Sequence, residues 1–113
     1  MEVRLIGEKK ALLVKVTGEL DHHMAEKIKT AVDEKLRCTN AVNVIFDFSE
    51  LEFMDSSGIG VIMGRYIKVR TLGGRVIASG VNAGILRIME MSGMDKIIKL
   101  TPSLEKAVRL LDK

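Results

Sequence analysis

"FMDSSGIGVIMGR", residues 53–65, is the stretch on which the fold turns. An acidic residue, two serines and a glycine stand where an apolar strand ends and a helix begins. The helical pattern "GIGVIMGRYIKVRT" (58–71) stops before Gly73 and Gly74, as a glycine-closed helix does. Upstream, "AVNVIFDF" (41–48) is rich in β-formers and almost continuously apolar, which predicts a central strand covered on both faces. A short connection joins it to the quoted stretch. In parallel sheets, functional groups gather past the carboxyl ends of strands, and "MDSSG" falls there.

The flanking sequence extends this alternation. "VRLIG" (3–7) and "ALLVKVTG" (11–18) read as strands joined by the polar turn "EKK". In "DHHMAEKIKTAVDEKLR" (21–37) the period changes: Ala25, Ile28, Ala31 or Val32, and Leu36 recur at helical spacing, with Asp21 as N-cap. "RVIASG" (75–80) predicts a strand, "AGILRIMEMSG" (83–93) a short helix closed by glycine, and "KIIKL" (96–100) another strand. "TPSLEKAVRLLDK" closes the chain as a helix, with Thr101 as cap and Pro102 at its first position. The pattern predicts an α/β protein with a mostly parallel sheet and right-handed crossovers. Asp21 and "MDSSG" would then share one edge of the molecule.

The 113 residues suffice for one domain, 1–113, and not for two. With 47% hydrophobic residues an ordinary core forms without staples. Seven methionines against three Phe and one Tyr predict an adaptable core or an adaptable contact surface. The net charge of +3 is spread and mixed, with no basic run interleaved with aromatics, so nucleic-acid binding has no support. Cys38 is the single cysteine, which excludes an internal disulfide and cysteine-based metal sites. No apolar run reaches ~18 residues and the N-terminus lacks a signal-peptide pattern, so the expectation is a cytoplasmic protein without membrane association.

The two serines fail the common catalytic tests. A nucleophile elbow reads G-x-S-x-G and places its histidine after the serine, whereas His22 and His23 precede it. A P-loop needs lysine and a hydroxyl residue after its last glycine; Gly64 is followed by Arg65 and Tyr66. Gly58, Gly60 and Gly64 do not make G-x-G-x-x-G. His22 and His23 point about 100° apart on a helix, a poor arrangement for sharing a metal. Asp47 could pass for a receiver-type phosphoacceptor, yet no acidic pair follows the first strand. No cofactor is implied.

Capping explains one of Asp55, Ser56 and Ser57, because a short polar side chain satisfies a free N–H at a helix start. It leaves the glycines unexplained. Each costs on the order of 1 kcal/mol against alanine inside a helix. Something approaches this backbone closely, either a neighbouring element of the same fold or another protein.

"TGELDHHMAEKI", "VIFDFSELEFMDSSGIGVIMGR" and "IMEMSGMDKIIKL" together resemble the STAS domain of bacterial anti-sigma factor antagonists, and most of all its sporulation branch. The resemblance covers essentially the whole chain. It implies the STAS fold, with a single mixed, mostly parallel sheet of about five strands and about four helices. It also implies a partner-switching protein and no enzyme. The unmodified antagonist binds an anti-sigma factor that is a serine kinase and so releases the sigma factor. The kinase phosphorylates a serine of the DSSG motif, and a serine phosphatase restores the free form. By motif position the acceptor is Ser56. The partner-binding positions are Asp21, Ser57, Ile59, Gly60, Ile88 and Gly93, and Asp55 and Gly58 are structural. A different STAS role, as a scaffold of a stress-signalling complex or a binder of small anions, is the alternative the residues leave open.

Overall fold

The apolar run at the centre of the sequence is also the centre of the sheet. In the computed structural model, which describes residues 1–112, Asn43–Asp47 (β4) runs parallel to Ala11–Lys15 (β2) on one side and to Val76–Ser79 (β6) on the other. Glu2–Ile6 (β1) joins β2 antiparallel, and Lys99–Thr101 (β7) joins β6 parallel. The order is β1-β2-β4-β6-β7, a mixed and mostly parallel five-stranded sheet.

Alternation along β4 explains why both faces are covered. Val44 and Phe46 enter the large core, and Ile45 enters a smaller one on the opposite face. Against the large face pack His22–Cys38 (α1), Ser56–Thr71 (α2) and Ala83–Ser92 (α3), through Ile28 and Val32, Ile62 and Val69, and Ile85 and Met89. Leu104–Leu110 (α4) covers the other face, with Ala107 against Leu13, Ile45 and Ile77. Phe46 and Phe48 stack with ring centroids 5.4 Å apart. Each fully buried side chain of this size stabilises the fold by ~1.5–3 kcal/mol, so the two phenylalanines anchor the centre.

Four local readings of the sequence are corrected. The predicted strand over 11–18 stops at Lys15, and Gly18–Leu20 is a separate strand (β3). Gly18 has φ +79°, a backbone turn that ends the line of β2. The connection after Phe48 contains another strand, Leu51–Met54 (β5), which pairs parallel with β3 in a two-stranded ribbon apart from the main sheet. At the far end, Thr101 is the last residue of β7, not a helix cap. The following Pro102 disfavours a helical conformation at Thr101. Ser103 caps α4 instead, its Oγ accepting from the Lys106 N–H at 3.2 Å. The strand expected over 96–100 likewise starts later, because Met94–Lys96 forms a single 3-10 turn.

Among the described residues no helix is long and apolar enough to cross a membrane.

Candidate functional site

The β3–β5 ribbon exists to aim two helices. Leu20 and Met54 are opposite one another in its register, so α1 and α2 begin two residues later, side by side. The Asp55 N–H donates to the Leu20 carbonyl at 3.3 Å and ties the two exits together. Each helix is capped by the aspartate at its exit. Asp21 Oδ1 accepts from the Met24 N–H at 2.9 Å, and Asp55 Oδ1 accepts from the Ser57 N–H at 2.8 Å. The cap in DSSG is therefore the aspartate, which leaves both serine hydroxyls free of that duty. Ser56 is the first residue of α2 and is exposed; Ser57 is half-buried.

The three glycines of α2 separate into two kinds. A Cβ on Gly58 would lie 2.3 Å from Met54 Cγ and 2.9 Å from its Sδ, so this glycine lets the first turn of α2 sit directly on the end of β5. A Cβ on Gly60 or Gly64 would meet nothing within 4 Å. The fold accounts for the first glycine and not for the other two.

Two depressions flank the start of α2. One, of 360 Å³, is lined by Asp55, Ser56 and Ile59 of the α2 start and by Ile88, Met91 and Ser92 of α3. Its walls are apolar apart from the polar rim at Asp55, Ser56 and Ser92, and Met91 is 79% exposed. The other, of 310 Å³, is a groove between α1 and α2 that includes His22, Ser57, Gly60, Gly64 and Arg65. The structure thus brings Ser56, Ile59 and Ile88 into one cleft and places Ser57 and Gly60 in the neighbouring groove. Asp21 and Gly93 line neither. Gly93 closes α3 with φ +80°, its N–H donating to the Glu90 carbonyl, a left-handed cap that glycine adopts without strain.

Several contributors escaped the sequence reading. Met91 was one apolar residue among many in an apolar helix, and its exposure follows only from packing. Asn82 caps α3 through a bond from the Ile85 N–H to its Oδ1 at 2.9 Å, while its Nδ2 donates to the Leu51 carbonyl at 3.1 Å. One side chain thereby ties the start of α3 to β5. Arg65 is 4% exposed and pairs with Asp33 of α1, Nε to Oδ1 at 3.0 Å. The N–H is not directed at that oxygen, so the contact is an ion pair without hydrogen-bond geometry, and Nη1 has no partner. Burial lowers the Arg65 pKa from its ordinary value, and Asp33 and Glu26 oppose that shift. The pair locks α1 to α2 beneath the groove.

Comparison with known proteins places this arrangement in a class. The STAS domain family model matches residues 2–107, and the chain belongs to that family. The anti-sigma F factor antagonist of Paenibacillus polymyxa is 33% identical over 100 residues, which cover 88% of this chain and 86% of the relative. Three solved structures share the fold. A putative anti-sigma factor antagonist of Thermotoga maritima superposes with a TM-score of 0.89 at 20% identity, over 99% of this chain and 94% of that one. SpoIIAA in its unphosphorylated form gives 0.75 at 23% identity, covering 94% and 91%. The phosphorylated form of Bacillus SpoIIAA gives 0.77 at 24%, covering 97% of both chains.

Proposed function

We propose that this chain is an anti-sigma factor antagonist switched by phosphorylation of Ser56. In its unmodified form it binds an anti-sigma factor that is also a serine kinase, and it frees a sporulation sigma factor. The kinase transfers the γ-phosphoryl group of ATP to Ser56, the complex separates, and a serine phosphatase returns the free form. The chain itself supplies no catalysis; the transfer machinery belongs to the kinase.

The observation that carries this reading is the position of Ser56. It is exposed, stands first in α2, and borders an apolar cleft that also holds Ile59, Ile88 and Met91. A kinase substrate hydroxyl has to protrude and be reached in line by the γ-phosphate. The apolar cleft offers area for a partner beside it. Asp55 engages the Ser57 N–H, so it is a cap and not a base for Ser56. Asp21, at the neighbouring helix start, supplies a charge for a basic residue of the partner. The names of the relatives support the same reading.

The test is incubation with the cognate anti-sigma kinase and ATP, followed by intact mass and site mapping. One added phosphate on Ser56, absent in Ser56→Ala and retained in Ser57→Ala, is the expected result. Modification that persists in Ser56→Ala and vanishes in Ser57→Ala overturns the assignment.

A further inference from the structure

Between Asp55 and Glu90 the sequence contains no acidic residue, yet Arg65, Lys68, Arg70, Arg75 and Arg87 all fall there. Folding brings two of them to the free edge of the main sheet. β7 is the last strand of that sheet, and among the described residues it pairs with β6 alone. On the α2 side of this edge lies a cleft of 220 Å³ whose lining includes Tyr66, Arg70, Arg75, Ile97 and Lys99. On the α4 side lies a second, of 400 Å³, that includes Lys99, Leu100, Lys106 and Arg109. Lys99 belongs to both, and among the described residues no carboxylate lines either. Arg109 is paired with Glu105. Among the described residues Arg70, Arg75, Lys99 and Lys106 enter no ion pair. Asp95 sits on the turn before β7 and lines neither cleft.

Three of these cations have a local structural use. Arg70 complements the carboxyl end of α2, Lys99 discourages edge-to-edge pairing, and Arg75 Nη1 donates to the Leu110 carbonyl at 2.6 Å. These uses do not explain why four unpaired cations straddle one free strand with no acid between them. We infer that this edge is a docking surface for an acidic segment of a partner protein, laid in extended form beside β7. A strand sends successive side chains to opposite faces. Adjacent acidic residues of the segment would therefore reach Arg70 on one side and Lys106 on the other, with Lys99 between and Arg75 held near the end of α4 by the Leu110 carbonyl. The free backbone groups of β7 supply the ladder, as in other strand-addition complexes. β7 has only three residues, so charge carries most of the affinity and salt weakens it. Among the described residues the surface shares no lining residue with the Ser56 cleft or the α1–α2 groove, so the two surfaces can be occupied together.

The test is an NMR titration of the 15N-labelled chain at low salt with octaglutamate. A glycine–serine peptide and an oligothymidylate of equal length serve as the comparison probes. Saturable amide shifts at 74–77 and 97–101 with octaglutamate are expected, together with silence at 55–60. The double variant Arg70→Glu/Lys99→Glu, both residues being exposed, should stay folded, losing little beyond the helix-end contribution of Arg70, and bind about tenfold more weakly or worse. The inference is overturned by an equal response to the glycine–serine peptide, by shifts scattered over all basic residues, or by no shift at all. Tighter binding of the oligothymidylate also overturns it, because the edge then serves nucleic acid.

Discussion

Asp21 and Asp55 each directly follow the last residue of one of two paired strands, and each caps the helix that follows. The pairing of Leu20 with Met54 therefore sets both acidic side chains at one end of the molecule, beside Ser56. Their side-chain bonds are structural, but a carboxylate accepting one N–H retains capacity for a cation from outside. The consequences are measurable separately as stability and as binding.

For Asp21 the two roles come apart by substitution. Asparagine caps about as well as aspartate, so Asp21→Asn should keep the melting temperature. Asp21→Ala should lose ~1 kcal/mol of stability. If the carboxylate meets a basic residue of the kinase, Asp21→Asn lowers affinity by ~2–5 kcal/mol as read by calorimetry. Unchanged binding at low and at high salt would leave the cap as its single role.

The glycines of α2 should respond in opposite directions. Gly58→Ala forces the buried Met54 side chain to move from a contact of 2.3 Å and should destabilise by ~1–3 kcal/mol. Gly60→Ala and Gly64→Ala meet open space and should stabilise the isolated protein by ~0.5–1 kcal/mol. Both should nevertheless weaken partner binding if the α1–α2 groove is part of the interface. Denaturant melts and binding isotherms on the three variants decide the matter.

Phosphorylation of Ser56 should leave the fold intact. A phosphate carries about −1.5 to −2 charges at neutral pH, and a helix N-terminus is a favourable place for them. The cleft that Ser56 borders is apolar, so a dianion left unpaired against a docked partner costs several kcal/mol, or orders of magnitude in affinity. Amide shifts confined to the start of α2 and adjacent loops, with little change in melting temperature, are expected. Ser56→Asp should be a partial mimic. Widespread shifts would show a conformational switch instead.

The Asp33–Arg65 pair offers a third stability test. Asp33→Ala leaves the Arg65 guanidinium buried without its countercharge and should cost ~3–5 kcal/mol. The double change Asp33→Leu/Arg65→Met removes both charges and should be milder than the single one. A double variant less stable than Asp33→Ala would mean that the pair contributes net stability of its own.

Cys38 should be a sluggish nucleophile despite its exposure. Its thiol donates to Glu34 Oε1 at 3.3 Å, and that bond raises the pKa, which leaves less thiolate at any given pH. Alkylation by iodoacetamide should run slower than for a free thiol, and Glu34→Gln should speed it. Equal rates in the two proteins would exclude the carboxylate as the cause.

Local pattern was enough for the larger elements. β4 was legible from its continuous apolar run, α1 from its helical period, and the Asp21 cap from side-chain chemistry, because each depends on residues close in sequence. The motif residues around DSSG were legible for the same reason. The β3–β5 ribbon was not: three- and four-residue strands have no period of their own and exist because they pair across thirty residues of intervening chain. Ser103 rather than Thr101 capping α4 depended on where β7 ended, and that was set by its pairing with β6.

The glycines mark the same boundary most sharply. The sequence alone determined that α2 carries three residues costly to a helix and that a backbone must therefore be closely approached. Only the tertiary structure decided which one serves the fold. Gly58 lies over Met54, and Gly60 and Gly64 face open space. Propensity is a property of the residue and its neighbours, whereas the presence of an atom within 4 Å depends on how distant segments pack.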